Sequence, residues 1–217
     1  GDTIPGFFSA NSAPTIVNDV VVLGHQVVDN QKLNAPSGVV RGWDALTGRM
    51  LWAWDMDRPD QSGPPPQGKT YSRSTPNVWS MIAGDDKLGL VYLPMGNRAA
   101  DYWGGGRTPQ EEKYSSAVVA LDVKTGKPRW SFQTIHHDLW DYDVPSQPSL
   151  IDLEIGGHSV PALVQPTKQG ELFVLDRRTG QPLLPVTEVA APQVRKREVP
   201  QELHRRLGVA AMERRAV

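Results

Sequence analysis

Asp122-Val123-Lys124-Thr125-Gly126, followed by Trp130, is one of three copies of a short pattern in this chain. The others are Asp44-Ala45-Leu46-Thr47-Gly48 with Trp52 and Asp176-Arg177-Arg178-Thr179-Gly180 with Leu184. In each copy the Asp precedes the apolar residue by eight positions. A Ser-x-Pro comes before each copy, at residues 12–14, 74–76 and 146–148. A paired motif that recurs in fixed order indicates an internal repeat, here over residues 12–184.

Each copy is predicted to form four antiparallel strands, A to D, with Asp-x-x-Thr-Gly as the turn between C and D. The Asp can accept from local N–H groups, and the Gly supplies the positive φ of a tight hairpin. The tryptophan on strand D can pack between neighbouring sheets. The predicted strands are 14–17, 20–26, 38–43 and 50–54 in copy 1; 77–83, 88–94, 116–121 and 129–133 in copy 2; and 149–153, 160–166, 171–175 and a short D in copy 3. Repeated four-stranded units indicate an all-β fold, a partial β-propeller of four-stranded antiparallel blades.

Composition narrows the possible function classes. The 217 residues are 39% hydrophobic and carry a formal charge of −1, which argues against nucleic-acid binding. There is no cysteine, so neither disulfides nor thiol chemistry is available, and no run of about 18 apolar residues predicts a membrane span. Residues 1–190 are predicted to form the propeller. Residues 191–217 are rich in Arg and break the repeat, so we expect a basic tail that is disordered or a short helix.

The topology predicts which polar residues meet. In an antiparallel blade, the B–C turn and the connector to the next strand A lie on the same face. That face should collect Asp29 from copy 1, Asn97 from copy 2 and Lys168 from copy 3. The connector 134–145 brings Asp141 to it, and Trp79 lies beside it. The loop 97–115 is expected to cover this face.

Two other interpretations remain open from the residues alone. His136, His137 and Asp138 could form the centre of a metal-dependent hydrolase, although no HExxH spacing supports zinc. The alternative, which we favour, is that His136 and His137 hold the structure of the loop. The chain could also be a non-catalytic propeller scaffold that keeps the blade motif for structure only. A purely structural role of the blade motif would not require Asp141, Lys168 and Trp79 to lie close together.

Several stretches resemble the quinoprotein dehydrogenases that use pyrroloquinoline quinone (PQQ), in particular the membrane-bound glucose dehydrogenase branch with its quinate/shikimate and polyol enzymes. The stretches are SGVVRGWDALTGRMLWAWD (37–55), LGLVYLPMGN (88–97), HHDLWDYDVPSQP (136–148) and PTKQGELFVLDRRTG (166–180). The resemblance implies an eight-bladed propeller, of which this chain carries three to four blades and lacks the others, so that it is a fragment, inactive alone. It also implies a sugar or polyol substrate, ubiquinone as electron acceptor and the periplasmic side of the bacterial inner membrane.

The resemblance assigns roles to residues of this chain. Asp141 matches the catalytic base, Lys168 the lysine that contacts the quinone oxygens, and Trp79 the floor under the planar cofactor. Asp29 and Asn97 match neighbours of the cofactor or of a Ca²⁺ or Mg²⁺ ion. These residue types suit the reaction, since a carboxylate can take the hydroxyl proton of an alcohol and a lysine can stabilise a developing oxyanion.

Overall fold

The computed structural model describes residues 5–28, 30 and 32–190. The predicted tail, 191–217, lies outside the described residues. The sheets belong to one compact unit that ends at Val186; of the unit that begins at Thr187, residues 187–190 are described. In the described ranges there is no helix of the length and apolarity that crossing a bilayer requires.

Thirteen strands and one short helix make up the described part of the chain. They are β1 (Phe8–Ser9), β2 (Thr15–Val17), β3 (Val20–Leu23), β4 (Gln26–Val27), β5 (Val40–Asp44), β6 (Met50–Trp54), β7 (Ala83–Asp85), β8 (Leu90–Pro94), α1 (Pro109–Tyr114), β9 (Ala117–Asp122), β10 (Pro128–Gln133), β11 (Ser149–Ile155), β12 (His158–Pro166) and β13 (Leu172–Asp176).

These strands form three antiparallel blades in chain order. The first is β2-β3-β5-β6, the second is β7-β8-β9-β10, and the third is β11-β12-β13. In the third, a single bridge between Leu175 and Pro182 stands where a fourth strand would pair, as the short D strand predicted. A two-stranded ribbon, β1-β4, lies outside the blades. The predicted blade architecture is confirmed.

The three Asp-x-x-Thr-Gly turns form as their sequence predicts. The Asp122 carboxylate accepts from the backbone N–H groups of Lys124 and Thr125 at 3.2 and 3.0 Å. Asp44 and Asp176 make the same kind of bond within their own turns. Gly126 has φ +68°, a conformation that costs a residue with a Cβ.

Tryptophans join each blade to the next. The indole of Trp52 on β6 donates to the carbonyl of Val123 at 2.7 Å and lies against Gly126, where a Cβ would overlap the ring. Trp130 on β10 repeats this contact one blade later, with the carbonyl of Arg177 at 3.2 Å and with Gly180. The turns of the second and third blades are therefore the docking sites for the indole of the blade before them.

The central blade is buried on both faces, which explains the continuous apolar runs of β8 and β9. Along β9, Val119 and Leu121 belong to the core shared with the first blade, whereas Val118 and Ala120 belong to the core shared with the third. Successive side chains of a strand point to opposite faces, so a strand between two cores needs apolar residues at every position. Val91 and Tyr92 divide in the same way on β8.

Two local predictions are wrong. Strand B of copy 1 ends at Leu23 rather than at residue 26, and strand A of copy 2 begins at Ala83 rather than at residue 77. The carbonyl of Ile82 is taken by side chains, Thr15 Oγ1 at 2.7 Å and Gln147 Nε2 at 2.9 Å, and the carbonyl of Asn77 by the N–H of Gly96. With these groups engaged elsewhere, residues 77–82 run outside the sheet.

Candidate functional site

A cavity of about 200 Å³ lies on the blade face where the B–C turns and the connector were expected to meet. Its lining comes from the β1-β4 ribbon and from loops next to all three blades: Gln26, Asn30, Trp79, Asp101, Asp141, Asp143 and Lys168. The predicted convergence of Asp141, Lys168 and Trp79 is found here. Asn97 lies one layer below the lining, and Asp29 lies outside the described residues.

The indole of Trp79 forms the aromatic part of the wall. Its ring edge rests on Gly96, where a Cβ would stand 3.2 Å from Cδ1, so a side chain there would push the ring away. Its Nε1 donates to Asp143 Oδ2 at 3.0 Å. The ring is thus supported at its back and held at its polar edge, and it offers a flat surface on which a planar ligand can stack.

Lys168 and Asp141 form an ion pair at the rim. Lys168 Nζ donates to the Asp141 carbonyl at 2.8 Å and to its Oδ1 at 3.1 Å. Both side chains are about 30% exposed, so each can still meet a ligand. Nζ also lies 5.8 Å from the centre of the Trp79 ring, within the range of a cation–π contact.

The backbone of Asp141 has φ +62°, a conformation uncommon for a residue with a side chain. Such conformations persist where the surroundings impose them, and they cluster at functional sites. Here the neighbouring turn is held by Asp138, whose buried carboxylate accepts from the N–H groups of Trp140 and Tyr142 and from Ser116 Oγ. Asp138 therefore fixes the loop that presents Asp141.

Asp143 lies beneath the rim and is 4% exposed. Burial raises the pKa of Asp143 to about 6; the charge of Asp141 adds to this increase, and Lys168 opposes it. For Lys168, burial disfavours the ammonium, but the negative charges of Asp143 and Asp141 outweigh it, and the pKa of Lys168 is raised. Lys168 is therefore protonated at neutral pH and can donate to an oxygen of a ligand.

Asn97 holds the floor of the site together. Its backbone N–H donates to Asp143 Oδ1 at 2.6 Å, and its side-chain amide donates to the carbonyls of Asp101 and Asp138 at 3.2 and 3.0 Å. Its side-chain oxygen accepts from the N–H of Arg98. The residue is 1% exposed. Its assignment as a metal ligand stays a prediction, as does that of Asp29.

His136 and His137 contribute to loop structure. His136 Nδ1 is 3.1 Å from Gln133 Oε1, and His137 pairs with the carboxylate of Glu112. Asp138 directs its oxygens to its own loop, as described above. Across the described ranges, no three His, Asp or Glu side chains are arranged to hold a metal ion.

The loop 97–115 borders the cavity, as expected for a cover on this face, but it also contains α1, which was not predicted. Arg107, whose side chain is 1% exposed, donates to the Asp138 carbonyl at 2.6 Å and thereby ties the loop to the connector. The hydroxyl of Tyr102 is 3.4 Å from Asp141 Oδ2. The negative charge of Asp141 raises the pKa of Tyr102, so this phenol stays neutral.

Four lining residues were not predicted as site residues: Gln26, Asn30, Asp101 and Asp143. Asp143 could have been predicted, because it lies two positions after Asp141 in a loop rich in carboxylates and aromatics. Asp101 has no comparable signal, because its place depends on how the loop 97–115 folds back; its backbone N–H donates to Asn30 of the first blade at 3.2 Å.

This arrangement can bind and orient a flat, oxygen-bearing ligand. Trp79 offers a stacking surface, Lys168 a positive donor and Asp141 an acceptor, and all three come from separate parts of the chain. Among the described residues, one oxygen of Asp141 is held by Lys168, while the other has the long contact to Tyr102. That second oxygen can accept a proton from a hydroxyl group placed at the rim.

The chain matches the family model described as PQQ, glucose/ethanol/alcohol dehydrogenase, β-propeller domain, over residues 1–205. It is 56% identical over 193 residues to the glycerol dehydrogenase large subunit of Gluconobacter oxydans, covering 88% of this chain and 26% of that protein. It is 46% identical over 192 residues to the quinoprotein glucose dehydrogenase of Escherichia coli, covering 88% of this chain and 24% of that protein.

Among solved structures, the quinohemoprotein alcohol dehydrogenase of Comamonas testosteroni superposes with a TM-score of 0.63 at 25% identity. The match covers 82% of this chain and 28% of that one. The chain thus spans about a quarter of the length of the relatives it matches.

Proposed function

This chain belongs to the family of PQQ β-propeller domains of glucose, ethanol and alcohol dehydrogenases, and we propose that it forms part of a PQQ site at which a sugar or polyol is oxidised. The observation that carries this proposal is the meeting of Trp79, Asp141 and Lys168 around one cavity. They are held together by hydrogen bonds of 2.8 to 3.1 Å and by the shared partner Asp143.

The residues present fit such a cofactor. A flat quinone can stack on the indole of Trp79, and the Lys168 ammonium at the rim can donate to its oxygens. The cavity in this chain, about 200 Å³, is smaller than typical sites for organic ligands, so the cofactor would extend past its rim. When bound, PQQ supplies the two-electron acceptor that takes a hydride from the carbon of an alcohol.

The chain itself handles the proton. Asp141 Oδ2, the oxygen not held by Lys168, accepts the proton of the substrate hydroxyl as the carbon–hydrogen bond breaks, a role worth about 10²- to 10⁴-fold in rate. Lys168 keeps the other oxygen of Asp141 in place and carries positive charge toward the quinone. The hydroxyl of Tyr102 contacts Oδ2, the proton-accepting oxygen of Asp141, and so marks where the substrate hydroxyl would lie.

The names of the relatives guide the substrate class. Glycerol, glucose and quinate or shikimate dehydrogenases match this chain at 42% to 56% identity. We therefore include polyols, sugars and cyclic polyhydroxy acids in the proposal, with further blades completing the site. By family resemblance, the proposal extends to ubiquinone as electron acceptor and to the periplasmic side of the inner membrane.

A Ca²⁺ or Mg²⁺ ion enters the proposal by resemblance alone. The described residues do not form a donor set for it: Asn97 is buried below the lining with its side chain engaged, and Asp29 lies outside the described residues. No step above depends on the ion.

The test is dye-linked oxidation of glycerol, glucose and quinate by the protein in the full length that its gene encodes, after PQQ and Ca²⁺ or Mg²⁺ are added. Asp141→Asn is expected to lower kcat at least 100-fold while PQQ still binds. Asp60→Asn, an exposed carboxylate in the loop between the first two blades, is the matched control and should keep full activity. A folded wild-type protein that neither binds PQQ nor oxidises any of these alcohols would leave the scaffold interpretation in its place.

A further inference from the structure

Asp143 makes contacts that set it apart from the other carboxylates of the site. Its Oδ2 accepts from the indole of Trp79 at 3.0 Å and lies 3.7 Å from Lys168 Nζ. Its Oδ1 accepts from the backbone N–H of Asn97 at 2.6 Å. One buried carboxylate thus touches two of the three groups proposed to meet the cofactor, without itself standing at the rim.

The contact with Trp79 constrains the ring. An indole has one N–H, on its five-membered ring, and this group is bound to Asp143 while the same side of the ring rests on Gly96. With these two points held, the ring has little freedom to tilt. The plane of the stacking surface is therefore set from below by Asp143.

The backbone makes Asp143 a rigid support. The N–H of the next residue, Val144, donates to the Met95 carbonyl at 3.2 Å, and the side chain of Val144 is fully buried in the core between the second and third blades. Asp141, two residues earlier, stands at the rim with its carboxylate about 30% exposed. The same short segment thus presents one carboxylate to a substrate and anchors another under the aromatic wall.

We infer that Asp143 is a positioning residue, which fixes the ring plane of Trp79 and the ammonium of Lys168 relative to Asp141 and thereby sets how a flat cofactor is held. This inference rests on the proposed function. Asp143 lines the cavity, but the role assigned to it is exerted through the Trp79 ring and the Lys168 ammonium.

The geometry requires a carboxylate rather than an amide. Two N–H donors, one from Trp79 and one from Asn97, point at the two oxygens of Asp143. An asparagine of the same shape would turn its NH₂ group toward one of these donors, and that N–H would lose its acceptor. It would also remove the negative charge that faces Lys168. Asp143→Asn is therefore a disruptive change in spite of its similar size.

A first measurement needs no cofactor. The chain has seven tryptophans, and their indole N–H signals can be followed in ¹H–¹⁵N spectra, with Trp79 assigned by Trp79→Phe. In Asp143→Asn, the Trp79 signal should shift and its hydrogen exchange should become faster. Asp55→Asn is the matched control, since Asp55 is as buried but lies in another loop, where its carboxylate accepts from the N–H of Ser72. It should leave the Trp79 signal in place.

A second measurement is PQQ affinity in the protein at its full encoded length. Because Asp143→Asn loses a hydrogen bond to a charged group, we expect its dissociation constant for PQQ to rise about 10- to 100-fold. Trp79→Phe keeps a flat ring but removes the donor, so adding Asp143→Asn to it should cost less than Asp143→Asn costs alone. Such non-additivity identifies the two residues as one unit.

The outcomes separate the two claims. If wild type binds PQQ but the Trp79 signal is unchanged in Asp143→Asn, or the affinity stays within twofold, or the two substitutions add independently, the positioning role is refuted and the proposed function stands. If folded wild type does not bind PQQ, the proposed function fails and the inference fails with it.

Discussion

The docking of each indole on the next turn can be tested with two glycines that differ in one respect. Gly48 and Gly126 both follow Thr in the repeated turn, and both have φ +68°. A Cβ at Gly126 would overlap the ring of Trp52, whereas a Cβ at Gly48 meets no atom within 4 Å. Comparing the two alanine substitutions therefore isolates the contact with the indole from the cost of the backbone conformation.

The magnitudes follow from these two terms. Alanine at positive φ costs about 1–2 kcal/mol at either position. Overpacking a filled site adds about 1–3 kcal/mol, at Gly126 only. Gly48→Ala should therefore lower the free energy of unfolding by about 1–2 kcal/mol and Gly126→Ala by about 2–5 kcal/mol. Gly180→Ala, which meets Trp130, should behave like Gly126→Ala.

The assay is urea unfolding of the 217-residue chain, followed by tryptophan fluorescence and by circular dichroism. Coincident transitions would show that one free energy describes the unfolding. Equal losses of unfolding free energy in Gly48→Ala and Gly126→Ala would refute the reasoning, because the Trp52 indole would then add no steric cost at Gly126.

Three further predictions concern the interior and the loops. Burial lowers the pKa of His25 from 6.5 to about 4, so the unfolded state binds a proton at a higher pH than the folded state does. The free energy of unfolding should therefore fall by up to about 3 kcal/mol as the pH is lowered from 6.5 to 4. His25→Gln should abolish this part of the pH dependence in denaturation curves. Thr108→Ala removes the N-cap of α1 and should cost about 1 kcal/mol in urea unfolding, with Thr108→Ser close to wild type. Asp138→Asn should cost about 1–3 kcal/mol and speed up amide exchange at Trp140 and Tyr142, because the amide provides one acceptor where two are used; unchanged exchange would contradict its role in the loop.

Much of the fold could be predicted because the repeat fixes it locally. The Asp-x-x-Thr-Gly turns are short-range structures whose hydrogen bonds lie within three residues, as at Asp122, so the sequence alone specifies them. The strands on either side follow from these turns, and the predicted span of strand D in copy 1, residues 50–54, agrees with β6.

The errors arise where distant groups compete for the backbone. Residues 77–82 look like a strand, but the Ile82 carbonyl is taken by Thr15 and Gln147, which are 67 and 65 positions away in sequence. The helix α1 had a visible signal, since Thr108 and Glu111 form a capping box with Pro109 between them, yet the surrounding loop composition hid it.

The candidate site was predictable at the level of topology and not at the level of contacts. Blade topology places Asp141 and Lys168 on one face whatever their side chains do, whereas Trp79 reaches that face from a segment that runs outside the sheet. Which carboxylate stands at the rim and which lies beneath the indole depends on φ +62° at Asp141 and on the anchoring of Asp143 by Asn97. Neither the backbone conformation nor the hydrogen bond can be predicted from the spacing of residues in the sequence.

The most direct test of the PQQ site is a calorimetric titration of PQQ into the protein at its full encoded length, comparing wild type with Lys168→Met. Lys168 lines the cavity, whereas Lys124, in the exposed turn of the second blade, provides the matched control Lys124→Met. We predict that Lys168→Met weakens binding at least tenfold, as expected for a lost charged donor, and that Lys124→Met binds like wild type. Equal affinity in all three proteins, or no binding to folded wild type, would contradict the assignment of this cavity to the cofactor.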